Sequence, residues 1–360
     1  MLHGGNLFEI QRKCNIDKNS LLDYSANINP LGVPATLKTL ITNRINDLEH
    51  YPDIYYHELK YAIATYYSLS IEDIFVGNGA AQIIFDSIHT LRPQKSILLA
   101  PTFSEYERAL KSCNTAIVKH QLKEEENFDL DIDKFIKEID DSIDLIVLCN
   151  PNNPTSRLIT TKGLEKILQK SREVNAYLII DEAFMDFVED QQCYSMLDKY
   201  RDYTNLIIVR AFTKFYGVPG LRLGFGVCRN SGLIEQLHQR MLPWSLNTFA
   251  GYFGEVLRSE TTYVEKTHQW LQQEKKRFVE ELKKIEGLKV FSPSVNFILI
   301  KILVAGFDVP QLKQRMLEKN ILIRDCSTFD NLDKKFFRIA VKSRIHNEIF
   351  TKTLMEVMKQ

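Results

Sequence analysis

Between about residues 70 and 230, short apolar runs rich in β-branched residues alternate with segments of helical period. The runs cover 74–77, 96–100, 143–149, 177–181, 206–209 and 223–228. None of them alternates polar with apolar positions, so each is predicted to be a strand covered on both faces. The segments between them, such as 163–174, read as amphipathic helices. Strand and helix in alternation predict an α/β fold around a mainly parallel sheet.

After residue 250 the pattern changes. Residues 261–286 predict one long, charge-laced helix ending near Gly287, followed by short strands at 296–301, 321–324 and 337–341 around another helix. That sequence of elements predicts a smaller α+β domain. The first 45 residues have too little periodicity for a core of their own and are expected to pack on it. The expected division is therefore 1–45 as an N-terminal segment, 46–250 as a large domain and 251–360 as a small C-terminal domain. The charged stretch Lys123 to Glu126 is expected to be a solvated loop.

Composition changes this picture little but excludes several function classes. Lys+Arg and Asp+Glu both number 46, so nothing favours nucleic acid or a membrane surface as partner. The six cysteines (Cys14, Cys113, Cys149, Cys193, Cys228 and Cys326) form no C-x-x-C pair, and several lie in apolar runs. They are expected to be reduced thiols, with neither disulfides nor a metal site. The N-terminus lacks a basic region followed by an apolar stretch, and no apolar run would span a bilayer. A cytoplasmic enzyme is the expectation.

Polar residues just beyond the carboxyl ends of the predicted parallel strands stand where α/β sheets bind ligands. After the run at 206–209 comes Arg210-Ala-Phe-Thr213-Lys214, with Arg222 eight residues on. Alone, a lysine after a strand is a surface residue. A lysine amine whose pKa burial has lowered can form a Schiff base with a carbonyl cofactor, and Thr213 and Arg222 can bind a phosphate ester. Asp181 ends another buried run; it is either a helix N-cap or the partner of a cation, for which a protonated pyridine nitrogen would serve. Cys149-Asn-Pro-Asn-Asn153-Pro-Thr-Ser156 reads by itself as a turn. Gly77-Asn-Gly79-Ala80-Ala81 leads from a strand into a helix and could cradle a phosphate on its first-turn amides.

Taken together these strings resemble the fold type I pyridoxal phosphate enzymes, the aminotransferase superfamily. The resemblance implies a large domain with a seven-stranded sheet, pyridoxal 5'-phosphate as cofactor and Lys214 as its attachment point. It also implies Asp181 on the pyridine nitrogen, Asn153 on the ring oxygen, Phe103 stacked on the ring, and Gly79, Ala80, Ala81, Thr213 and Arg222 on the phosphate. Three departures stand out: Phe184 where relatives have a tyrosine, Ala211 where they often have a second hydroxyl, and Ser156 where they have glycine. His50-Tyr51-Pro52 matches a motif whose tyrosine reaches the phosphate of the neighbouring subunit, which implies a homodimer with shared sites.

Cofactor residues do not choose the reaction; the residues that orient the substrate do. The strings His3-Gly-Gly-Asn6 and Ser25-Ala-Asn27-Ile-Asn29-Pro-Leu-Gly32, with those around Asp181, Arg324 and Arg338, resemble the threonine-phosphate decarboxylase family over essentially the whole chain. That implies decarboxylation of O-phosphothreonine or O-phosphoserine to an amino alcohol phosphate for the cobamide nucleotide loop. His3, Asn27, Asn153, Arg324 and Arg338 are then the candidate substrate residues, the two arginines gripping the phosphate. Histidinol-phosphate aminotransferases share most of the cofactor residues and are the main alternative. A non-catalytic pyridoxal phosphate-binding regulator would need an added DNA-binding segment and a basic face.

Overall fold

The structure is a computed structural model that describes residues 4–14 and 16–359. Its centre is a seven-stranded sheet with the strand order β2-β8-β7-β6-β5-β3-β4. These strands are β2 (Ile74–Gly77), β3 (Lys95–Ala100), β4 (Ala116–Gln121), β5 (Leu145–Cys149), β6 (Tyr177–Asp181), β7 (Leu206–Ala211) and β8 (Gly224–Cys228). All pairings are parallel except those of β8, which runs against both β2 and β7. The apolar runs became strands because helices bury both faces: β5, β7 and β8 are buried at every position. The seventh strand, β4, lies at the sheet edge. Its residues Ala116-Ile-Val-Lys-His-Gln are only half-buried, so it lacks the continuous apolar run that marks the others.

A second sheet, of four antiparallel strands, has the order β12-β13-β10-β9. Its strands are β9 (Leu288–Val290), β10 (Phe297–Ile302), β12 (Arg324–Asp325) and β13 (Phe336–Ala340). The single strand expected at 321–324 is in fact two. β11 (Ile321–Leu322) turns away to pair in parallel with β1 (Leu22–Asp23), while β12 pairs with β13. The long helix is observed at Thr261–Lys283, and Gly287 follows it at φ +80°. Lys123 to Glu126 is more than a solvated loop: Glu124 turns inward and bonds Lys289 at 3.0 Å and Lys301 at 2.6 Å, tying the second sheet to the first.

The chain between β1 and the helix at Ala35–Asn43 threads between the two sheets. Ala340 N–H donates to Tyr24 O at 2.9 Å, and Asn29 N–H donates to Lys214 O at 3.1 Å. The Asn29 amide is buried and donates to Phe215 O at 2.7 Å and to Thr267 Oγ1 at 2.8 Å. No helix among the described residues is long and apolar enough to cross a membrane.

Candidate active site

The carboxyl ends of β5, β6 and β7, the start of the helix Ala80–Leu91 and the segment 23–28 surround a cavity of about 560 Å³. Lys214 lies in it, one turn beyond β7 in the short helix Phe212–Phe215, with its Nζ 3.2 Å from Thr213 Oγ1. Burial, reinforced by the charge of Arg222 and opposed by Asp181, lowers the Lys214 amine from 10.5 to about 8. Thr213 and Ala211 are buried beside it.

Asp181 is the last residue of β6 and only 5% exposed. Its carboxylate accepts from Tyr106 Oη at 2.6 Å and from Ala183 N–H at 2.9 Å. Burial still pushes its pKa upward, and the two donors and Lys214 offset this only in part. Tyr106 comes from the helix Ser104–Ser112, and Phe103 caps that helix with its ring 5.5 Å from the Tyr106 ring. Tyr106 was not among the residues singled out from the sequence. Its position three residues after Phe103, on the same helical face, is the signal that could have found it.

At the other end of the cavity, Ala80 and Ala81 open the helix after β2, so its unsatisfied first-turn amides face the same space as Thr213 and Arg222. Gly79 precedes them at φ +82°, and a Cβ there would lie 2.4 Å from Arg222 Nη2. Only glycine allows this arginine so close to the turn. Arg222 itself is exposed, and it donates to Asn78 O and Pro219 O at 3.4 Å each.

These groups fit pyridoxal phosphate. An anion cradle lies at one end, an amine of lowered pKa stands in the middle, and a buried carboxylate in want of a cation lies beyond it. Phe184 offers no hydroxyl; its ring packs edge-on against Phe297 at 5.0 Å. Ala211 likewise lines the cavity without a donor.

The remaining wall brings in residues far away in sequence. Asn27, Asn153, Arg324 and Arg338 all line the cavity. Arg338, on β13, is 6% exposed; its Nη1 donates to Asn153 Oδ1, and its Nη2 donates to Ser25 O at 2.9 Å. Its Nε is buried without a hydrogen-bond partner. Burial, together with the charge of Arg324 and against the opposing charges of Cys326 and Asp23, lowers it to about 10. Arg324 donates to Thr328 Oγ1 at 2.9 Å and lies over the Phe329 ring. Asn27 is buried with its Oδ1 unpartnered. Gly4 and Gly5 also line the cavity, Gly5 N–H donating to Ser25 Oγ at 2.8 Å. His3 lies outside the described residues. Tyr51 is not part of this cavity; it is 80% exposed and packs on Trp244 at 4.6 Å.

Residues 19–353 match the family described as aminotransferase class I and II. A threonine-phosphate decarboxylase of Salmonella typhimurium is 33% identical, covering 99% of this chain and 96% of its own length. The crystal structure of histidinol-phosphate aminotransferase from Clostridium acetobutylicum superposes with a TM-score of 0.88 at 35% identity, over 94% of this chain and 99% of that one. The crystal structure of L-threonine-O-3-phosphate decarboxylase from Porphyromonas gingivalis does so with a TM-score of 0.83 at 25% identity, again over 94% and 99%.

Proposed function

Since the chain belongs to the aminotransferase class I and II family, we propose that it is a pyridoxal phosphate-dependent decarboxylase of O-phosphothreonine or O-phosphoserine. The likeness to the Salmonella typhimurium threonine-phosphate decarboxylase supports decarboxylation, and the observation that supports an anionic substrate is Arg338. A guanidinium buried against neutral oxygens, with one donor unpaired and the charge of Asp23 offsetting its burial only in part, is costly unless an anion arrives. Arg338 lines the same cavity as Lys214, so the anion is a group of the substrate.

The cofactor, when bound, supplies an electron sink for the bonds at the substrate's Cα. Lys214 would be its attachment point, and its amine would be the proton donor to Cα. Asp181 would keep a proton on the pyridine nitrogen, and Asn153 would bond the ring oxygen. Phe103 would stack on the ring, while Thr213, Arg222 and the turn at Gly79, Ala80 and Ala81 would hold the phosphate. Arg324 and Arg338, with Asn27 and His3, hold the substrate phosphate. Held by its phosphate in this way, the substrate would be left with its carboxylate free of both arginines, as loss of carbon dioxide requires. The product is an amino alcohol phosphate of the kind used in the cobamide nucleotide loop.

A homodimer with shared sites is part of this reading. Tyr51, Tyr55 and Leu242 are 80%, 75% and 73% exposed, an unusual display of large apolar side chains that a second copy would cover. Tyr51 would then reach the cofactor phosphate of the partner. We further place the protein in the cytoplasm, in keeping with its free cysteines. The pairing of Leu22–Asp23 with Ile321–Leu322 supports grouping residues 1–45 with a small domain of 251–360, apart from 46–250.

Incubation with O-phosphothreonine, without any keto acid, is expected to release carbon dioxide. The second reading, favoured by the 35% identical Clostridium structure, is transamination of histidinol phosphate, which also carries a phosphate for Arg338. Amine transfer from histidinol phosphate to 2-oxoglutarate, with no carbon dioxide from phosphothreonine, would establish that reading instead. Discrimination between phosphothreonine and phosphoserine rests on one methyl group, about 1–3 kcal/mol. Arg338→Ala is expected to raise KM for the phosphorylated substrate far more than for an unphosphorylated analogue; equal effects on both would refute the phosphate assignment.

A further inference from the structure

Ser156 ends the loop that follows β5. It is fully buried, and its φ of +60° lies in the left-handed region where a residue with a Cβ is strained. Its contacts give the side chain a purpose. Ser156 Oγ accepts from Ser294 N–H at 2.8 Å and from Val295 N–H at 3.2 Å, across the gap between the two sheets. On the loop side, Ser156 N–H donates to Asn152 O at 2.7 Å. Asn152 Nδ2 donates in turn to Pro101 O at 3.0 Å and to Thr155 Oγ1 at 2.9 Å, so the loop is tied to the end of β3.

Beyond Val295 the chain runs directly into the far wall of the cavity. Asn296 Nδ2 donates to Asn27 O at 3.0 Å, and Asn296 O accepts from Val341 N–H at 2.8 Å. The Phe297 ring lies under the Arg338 guanidinium at 5.3 Å. Arg338 closes the circuit by donating to Asn153, three residues before Ser156. One hydroxyl thus joins the loop that carries Asn153 to the turn that carries the support of Arg338 and Asn27.

We propose that Ser156 is a positioning residue for the substrate: its hydroxyl, holding the Ser294 and Val295 amides, sets the placement of Arg338 and Asn27 relative to Asn153. The inference rests on the reading in which Arg338 meets the substrate phosphate. Without the hydroxyl, two amides at the packed junction of the sheets lose their acceptor, and the turn shifts to find another.

Two variants separate the hydroxyl from the backbone. Ser156→Ala removes the oxygen and keeps the strain; Ser156→Gly removes the oxygen and relieves the strain. In the holoenzyme, both are expected to lose hydrogen-exchange protection at the Ser294 and Val295 amides. Both should also raise KM for O-phosphothreonine about tenfold, relative to an unphosphorylated analogue, with a smaller change in kcat. A lowered melting temperature with an unchanged KM ratio would reduce Ser156 to a structural residue and overturn the proposal. So would restoration of KM by Ser156→Gly. Failure of the unmodified protein to release carbon dioxide would count against the functional reading instead, and amide exchange would still decide whether the hydroxyl holds the turn.

Discussion

Lys214 and Asp181 lie in one cavity and are driven by the same force in opposite chemical senses. Burial disfavours charge on both, so the amine falls to about 8 and the carboxylate rises. For Lys214 the sign of the linkage is definite. Between pH 8 and 10.5 the unfolded chain carries a proton that the native apoprotein has released. The apoprotein therefore gains stability relative to Lys214→Met as pH rises through that window, and thermal melts of the two proteins will measure it. Capture of added pyridoxal phosphate by the apoprotein should rise with pH about a midpoint near 8; a midpoint near 10.5 would mean that the cavity does not desolvate the amine. Tyr106 is hard to read from the sequence because its part is a single hydrogen bond to Asp181, which exists only once the strand Tyr177–Asp181 and the helix Ser104–Ser112 have met.

Along β6 and β7 the two-residue period of strands divides the work between the faces. Asp181 is in register with Val209, and Ala211 lines the cavity, so Arg210 points to the opposite face. There it is 1% exposed and meets Glu182 Oε2 at 2.8 Å, Asp186 Oδ1 at 2.8 Å and Ser195 Oγ at 3.0 Å. Burial pushes both carboxylates upward while Arg210 opposes it. Arg210→Ala would leave two carboxylates buried without their cation and is expected to destabilise the fold by about 3–5 kcal/mol, measured by chemical denaturation. Glu182→Gln, which keeps the shape and removes one charge, should cost less. The strands themselves were legible because burial on both faces leaves no polar alternation. β4 was not, since an edge strand half-exposed to solvent carries lysine and histidine. Nor could the division of 321–325 between two sheets be read, because it depends on which neighbour each pair of residues finds.

At the scale of the molecule, the aromatic surface around Tyr51 and Trp244 lies apart from the cavity that holds Lys214. Shared sites make a sharp prediction. Lys214→Ala and Tyr51→Ala are each expected to be impaired alone. Mixed and allowed to exchange subunits, they should regain activity, because one site of each heterodimer then has both native residues. Recovery that does not occur although sedimentation shows heterodimers would place Tyr51 outside the site. The two sheets are held at their junction by Glu124 with Lys289 and Lys301, by Ser156 with the turn at 294–295, and by the segment around Asn29. None of these ties has a local sequence signature, since each partner lies more than a hundred residues away.

The sequence by itself determined what depends on local order: which runs become buried strands, where glycine permits a tight turn at Gly79, and which lysine, aspartate and asparagine follow strands toward one edge of the sheet. Its resemblances supplied the family and the cofactor that family uses. Only the tertiary structure decided the electrostatics. Arg338 is costly because it is buried beside neutral oxygens; Lys214 is poised because it lies in a cavity with Arg222; Ser156 matters because a turn from the other sheet lies 2.8 Å away. Burial and distance are properties of the folded chain, and no spacing along the sequence contains them.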